Sequence, residues 1–172
     1  MNIEQRLKTG NLNFRKILAG ADLKREKFIN LQKGQTPFAI VITCSDSRVI
    51  PEEIFSCSLG DLFVIRTAGN VINEGELASV EYGIEHLHAE YVLVLAHTLC
   101  GAVHAAIHNE KGRYLSPILD NIKRCIGDEC NERQASIKNA LKQVEFLKGK
   151  FPEFQGEIKA ALYDLETAEV IF

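Results

Sequence analysis

Phe38-Ala-Ile-Val-Ile-Thr-Cys44 is an almost unbroken apolar run, rich in β-branched residues, entered from Pro37 and followed by Ser45-Asp46-Ser47-Arg48. It lacks the polar alternation of a half-exposed strand. Such a run suits a strand covered on both faces, as in a parallel sheet. Two further runs of the same kind follow, Leu62-Phe-Val-Ile-Arg-Thr-Ala68 and Tyr91-Val-Leu-Val-Leu-Ala-His97. Helical patterns separate them. Pro51 opens a short helix through Phe55, and Gly75 to His88 places Leu77, Val80, Ile84 and Leu87 at helical spacing. Strands alternating with helices predict an α/β fold with a mainly parallel sheet flanked by helices.

Outward from this core the chain is mostly helical. Ala102 to His108 continues directly from the third strand, and Pro117 to Ile126 is a further helix. Asn131 is placed to cap a long helix through Lys148, with Ile137, Leu141, Val144 and Leu147 on one face. Two short strands, Glu157 to Leu165 and Glu169 to Phe172, surround Glu166-Thr167-Ala168. Before the core, residues 1–34 form a polar helical arm with thin apolar stripes (Ile3 and Leu7, Phe14 and Leu18, Phe28 and Leu31), which predicts that it packs on the main body or on another subunit. At 172 residues the chain reads as one domain. Its parts are the arm (1–34), a core (37–110), a helical segment (115–150) and C-terminal strands (157–172).

Composition excludes several classes. Hydrophobic residues make up 46% and charged residues 25%, which argues against disorder, collagen and coiled coil. A net charge of -3 offers no cationic face, so no nucleic-acid partner is expected. No apolar run reaches the ~18 residues of a membrane span. Met1-Asn-Ile-Glu-Gln-Arg6 lacks the apolar stretch of a signal peptide, and a cytoplasmic location is expected. The five cysteines (Cys44, Cys57, Cys100, Cys125 and Cys130) are odd in number and read as thiols in a reducing compartment.

Two of the three core strands end in residues able to ligate a metal. The first ends at Cys44 and the third at His97, which is followed by Thr98-Leu99-Cys100. Sites in parallel sheets form beyond the carboxyl ends of strands, so Cys44, His97 and Cys100 can converge. Two thiolates and an imidazole suit Zn²⁺, and three protein ligands leave a fourth position for reactive water. Thiolates donate more charge than imidazoles, so water on such an ion is less acidic than in an all-imidazole site; Arg48 offers compensation. Arg48 can also hold the Asp46 carboxylate through a bidentate pair. Asp46 can then orient a water, or swing in as a fourth ligand and close the site. The sequence leaves both open.

Cys44-Ser-Asp-Ser-Arg-Val49, Gly60-Asp-Leu-Phe-Val-Ile-Arg66-Thr-Ala-Gly-Asn70 and His97-Thr-Leu-Cys-Gly-Ala-Val103, in this order, resemble the β-class carbonic anhydrases. The resemblance runs from about Pro37 to Val103 and returns at Tyr163-Asp-Leu-Glu-Thr167. It implies a four- or five-stranded sheet and a homodimer or tetramer with sites near the dimer interface. The implied reaction is the reversible hydration of CO₂ to bicarbonate and a proton. One Zn²⁺ per chain is held by Cys44, His97 and Cys100, and the zinc-bound hydroxide is oriented by the Asp46–Arg48 dyad. Cys57, Ser58, Gly69 and Gly101 are the residues expected at the substrate pocket. The sequence departs from the family pattern in three places. Ala96 precedes the ligand His where Gly is usual, Ser56-Cys57-Ser58-Leu59 stands where many members carry a Gln, and Thr167-Ala168 lacks a Gly.

The altered stretch leaves two alternatives: hydrolysis of carbonyl sulfide or carbon disulfide at the same site, or a non-catalytic zinc protein of assembly or regulation. A dinucleotide binder is rejected, because no Gly-x-Gly-x-x-Gly follows the first strand. Other candidates have plain readings. Cys125 and Cys130 are inert thiols; Arg66 is an exposed charge or an interface ion pair; Gly69-Asn70 is a turn with positive φ. His86 and His88 are surface residues. His104 and His108 share a helix face, solvated or relaying protons from the zinc water.

Overall fold

The computed structural model describes Thr9, residues 11–17 and residues 22–172; Ile3, Leu7 and Leu18 of the stripes above lie outside them. These residues fall into two compact units, 1–35 and 36–172. In the first, residues 11–17 and helix α1 (Asp22–Leu31) are helical, as the arm pattern predicts.

The second unit is the α/β body. Its strands are β1 (Ala39–Cys44), β2 (Leu62–Thr67), β3 (Tyr91–His97), β4 (Glu157–Tyr163) and β5 (Val170–Ile171). Its helices are α2 (Pro51–Ile54), α3 (Glu74–Glu85), α4 (Gly101–Ile107), α5 (Ser116–Ile126) and α6 (Glu132–Lys150). The sheet has five strands in the order β2-β1-β3-β4-β5. The β1–β2, β1–β3 and β3–β4 pairs are parallel, and β5 is an antiparallel edge on β4. The mainly parallel architecture read from the apolar runs is the one found.

The pleat divides the core. Ile40 and Ile42 of β1 and Val92 and Val94 of β3 pack with Val80, Val144 and Leu147 of α3 and α6. Val41, Leu93 and Leu95 point to the opposite face, with Val49 and Ala161. Every residue of β1 is buried, which explains why its sequence never alternates. Each fully buried Ile or Leu here contributes about 1.5–3 kcal/mol. Helix α3 lies so close to β1 that a Cβ at Gly83 would sit 2.6 Å from Ile40 Cδ1.

Helix α6 is capped as expected, the Asn131 side chain accepting from the Gln134 amide at 3.0 Å. Most of its predicted apolar face is the one it buries: Val144 and Leu147 are in the core and Ile137 packs against them. Leu141 is 49% exposed, while Ser136, Asn139 and Gln143 turn inward beside Val144 and Leu147. Two of the inward polar residues have backbone partners: Asn139 Nδ2 donates to the Gly69 carbonyl at 2.8 Å, and Gln143 Oε1 accepts from the Ile72 amide at 3.2 Å, while Ser136 Oγ makes no hydrogen bond. Polar groups that bond to backbone can be buried at little cost, so hydrophobicity alone missed that Asn139 and Gln143 also face inward.

The strand order creates the site. The chain leaves β1 toward β2 on one side, while β3 and β4 build out on the other. The order therefore reverses between β1 and β3, and a crevice opens beyond their carboxyl ends.

Candidate metal centre

Cys44 ends β1 and His97 ends β3, with Thr43 opposite Leu95 in the parallel register. Thr43 Oγ1 donates to the Leu95 carbonyl at 2.9 Å, fastening the two strands just before the ligands. After His97 the chain must turn back at once to deliver Cys100. Leu99 makes this turn in the left-handed region, at φ 55°. The three donor atoms then lie within 4.8 Å of one another, and all three residues are buried. No other such group of three or more ligating side chains occurs among the described residues.

The chemistry of the set fits one Zn²⁺. Cys44 Sγ and Cys100 Sγ are 3.9 Å apart, close to the separation of two ligands about 2.3 Å from a tetrahedral ion. His97 Nδ1 faces the Thr98 carbonyl at 2.8 Å, an atom that can only accept. The hydrogen is therefore on Nδ1, and Nε2 carries the lone pair. Nε2 is buried and makes no hydrogen bond. A buried acceptor of this kind, aimed between two thiols, is what a metal satisfies.

The two thiols titrate as a pair. The bond to Cys100 holds Cys44 far below its ordinary range, helped by the Gly69 amide against the effect of burial. The same bond and burial push Cys100 upward. One proton leaves the pair readily and the second does not, until a cation balances the second charge. The Gly69 amide donates to Cys44 Sγ at 3.3 Å. A Cβ on Gly69 would lie 2.7 Å from Ile122 Cδ1 and 3.2 Å from Ala102 Cβ, and its φ is 67°. Close approach and positive φ together require glycine there. Asn70 follows at φ 48°, so the turn read from Gly69-Asn70 is present.

Asp46 and Arg48 form the bidentate pair anticipated from their spacing. Arg48 Nε donates to Asp46 Oδ1 at 2.9 Å and Nη2 to Oδ2 at 2.7 Å, while the Arg48 amide adds a bond to Oδ1 at 3.0 Å. These bonds hold the Asp46 carboxyl well below the usual carboxylate range, and Arg48 is raised in return. Asp46 Oδ2 lies 4.0 Å from His97 Nε2. The carboxylate thus sits beside the donor cluster with both oxygens engaged by Arg48. Arg48 Nη2 also donates to the Leu99 carbonyl at 3.2 Å, tying the dyad to the ligand loop.

Arg66 has a part that the sequence did not disclose. Its Nε donates to the Cys44 carbonyl at 3.2 Å and its Nη2 to the Asp46 carbonyl at 2.6 Å. It is neither a bare surface charge nor paired with an acid in these bonds; it braces the backbone that carries ligand and dyad. A position one strand away, in register with Thr43, was the available signal.

The expected pocket residues separate. Gly101 follows Cys100 directly, and a Cβ on it would meet nothing within 4 Å, so this side of the loop is open. Gly69 touches Cys44 but is closed in by Ile122 and Ala102. Ser58 is exposed, its amide donating to Asp61 Oδ2 at 2.7 Å. Cys57 lines an apolar cavity of about 320 Å³ with Phe38, Val41, Phe55, Leu93 and Phe172, and none of the three clustered donors is in its wall. Burial pushes the Cys125 thiol up, and Cys130 is exposed. His86 and His88 are exposed, as expected.

A parallel sheet with two sulfurs and an imidazole gathered at its switch point defines an α/β metalloprotein. Comparison with known proteins narrows that class. Carbonic anhydrase is the family whose profile matches, over residues 39–170, and the chain belongs to it, in its β class. The chain is 36% identical over 177 residues to a carbonic anhydrase of Synechococcus elongatus, a match covering 86% of this chain and 64% of that protein. It spans less than two thirds of the length of the curated relatives it matches. The solved structure of the β-carbonic anhydrase CcaA superposes with a TM-score of 0.84 at 30% identity, covering 98% of this chain and 94% of that one. An apo carbon disulfide hydrolase, 19% identical, shares the fold at a TM-score of 0.61 over 87% of this chain and 86% of its own.

Proposed function

We propose that this chain is a carbonic anhydrase that uses one Zn²⁺ to hydrate CO₂ reversibly to bicarbonate and a proton. The observation that carries the reading is the buried Cys44–His97–Cys100 cluster with an ionised, doubly held Asp46 at its edge. Cys44, His97 and Cys100 hold the ion. Bound there, zinc supplies a Lewis acid that activates water as a nucleophile. Asp46 Oδ2, held ionised and turned by Arg48, would accept a hydrogen bond from a water at the site and fix the direction of its lone pair. Arg48 keeps Asp46 ionised and correctly turned, and Arg66 holds the backbone on which both ligand and carboxylate ride. The open side of Gly101 gives the small neutral substrate an approach.

Asp46 bound by Arg48, rather than turned fully onto the donor cluster, favours an exchangeable fourth position over a closed structural site. We place the protein in the cytoplasm, supported by five free cysteines; among the described residues, no helix is long and apolar enough to cross a membrane. Self-association fits the sheet face bearing Val41 and Leu93. There Phe38 is 62% exposed and Phe172 is 77% exposed at the rim of the apolar cavity, on a kind of sheet that is ordinarily covered on both sides.

The test is stopped-flow CO₂ hydration by the zinc-loaded protein. Rapid proton release that disappears in Asp46→Asn is the expected result. No hydration at alkaline pH by protein with a full complement of zinc overturns the reading, and sulfide release from carbonyl sulfide in its place assigns the site to a sulfur analogue.

A further inference from the structure

The helix that leaves Cys100 carries donors that the metal centre does not use. His104 lies within α4 and His108 caps its carboxyl end; both are exposed. Residues four apart share a helix face. Here the two rings stack, with centroids 4.1 Å apart and planes at 26°.

The Nδ1 atom of each ring faces an oxygen that can only accept. His104 Nδ1 lies 2.7 Å from Glu132 Oε1, and His108 Nδ1 lies 2.9 Å from the His104 carbonyl. Each Nδ1 therefore carries the hydrogen, and each neutral ring presents the Nε2 lone pair. A carboxylate behind one imidazole nitrogen fixes the ring and raises the basicity of the other, which is the support that metal-bound histidines usually have. Nearly parallel planes do not aim both lone pairs at one point, but two imidazoles one helical turn apart form a two-nitrogen chelate once the rings open from the stack.

We propose that His104 and His108 form a second metal site, on the surface, which takes a divalent transition ion through both Nε2 atoms and leaves its other positions to water. Imidazole donors suit Zn²⁺, Ni²⁺ and Cu²⁺, and exclude Ca²⁺ and Mg²⁺ as good ligands. The ion draws electron density from the His104 ring and makes Nδ1–H a stronger donor to Glu132. Glu132 opens α6, so occupancy fastens α4 to α6.

The experiment is a calorimetric titration of the zinc-loaded full chain with Ni²⁺, with thermal melting alongside. One further equivalent is expected to bind, with affinity falling at least about tenfold in His104→Gln and in His108→Gln, and about 10–100-fold in Glu132→Gln. Melting is expected to rise with Ni²⁺ in the wild type and not in the His variants. No Ni²⁺ uptake by the zinc-loaded chain overturns the proposal. Uptake unchanged in both His variants does the same and moves the ion elsewhere, the exposed Cys130 being one such place. If a variant fails to fold, Cu²⁺ electron paramagnetic resonance on the zinc-loaded wild type decides. Two coordinated imidazole nitrogens support the site, and fewer overturn it.

Discussion

Arg66 donates to the carbonyl oxygen of Asp46 at 2.6 Å from the strand beside the one that ends in Cys44. With its second bond, to the Cys44 carbonyl, one guanidinium spans the backbone from ligand to carboxylate. A rigid fork can hold two carbonyls at a fixed separation, whereas an ammonium cannot. Arg66→Gln should therefore lower zinc affinity about 10–100-fold while the protein stays folded. Competition with a metallochromic chelator measures this, and unchanged affinity would show that the brace is idle.

Cys44→Ala removes a ligand and leaves Cys100 and His97, a set too small for a stable zinc site. Elemental analysis after dialysis should find zinc near one equivalent in the wild type and little in the variant. Equal zinc in both would displace Cys44 from the site.

Arg48→Lys keeps the charge but loses the bidentate grip that turns Asp46. Zinc content should be unchanged while the rate of hydration falls about 10²-fold. A rate within a factor of two or three of wild type would mean that the orientation of Asp46 does not matter.

Gly69→Ala meets Ile122 Cδ1 at 2.7 Å and a φ of 67°. Overpacking and the left-handed backbone together should cost about 2–4 kcal/mol, read from denaturant unfolding. The substitution also disturbs the amide that donates to Cys44, so zinc affinity should drop with stability.

Arg133 holds Asp164 through a charge-assisted bond, and this pairing lowers the Asp164 pKa. A carboxylate with a depressed folded value stabilises the fold above its unfolded pKa, about 3.9, and ceases to as pH falls through the folded value. Arg133→Gln should therefore melt lower than wild type at pH 7, and the gap should close below about pH 4. A gap constant across that range would show that the ion pair is not its source.

The sheet was legible because its central strands are buried on both faces, and a strand such as Ala39–Cys44 has no reason to alternate. The metal cluster was legible because soft ligands stand at two strand ends, where topology brings them together. Asp46 and Arg48 were legible from short spacing. Less was readable where side chains serve distant backbone. Arg66 serves carbonyls on the neighbouring strand, 22 and 20 residues away in sequence. Asn139 serves the Gly69 carbonyl at a separation of 70. Such pairings exist only in the folded register, and local pattern cannot distinguish them from ordinary surface polarity. The stacking of His104 on His108 was half legible, since the spacing was evident and Glu132 was not.

Because Cys44 closes the first strand of the sheet and His97 the third, a growing polypeptide cannot assemble the donor set early. A nascent fragment that ends within α3 offers one sulfur and no imidazole from the cluster, and cannot capture the ion. Ion capture is therefore a report that the central strands have already paired. Zinc supply should then govern how long the finished sheet lasts more than how quickly it forms.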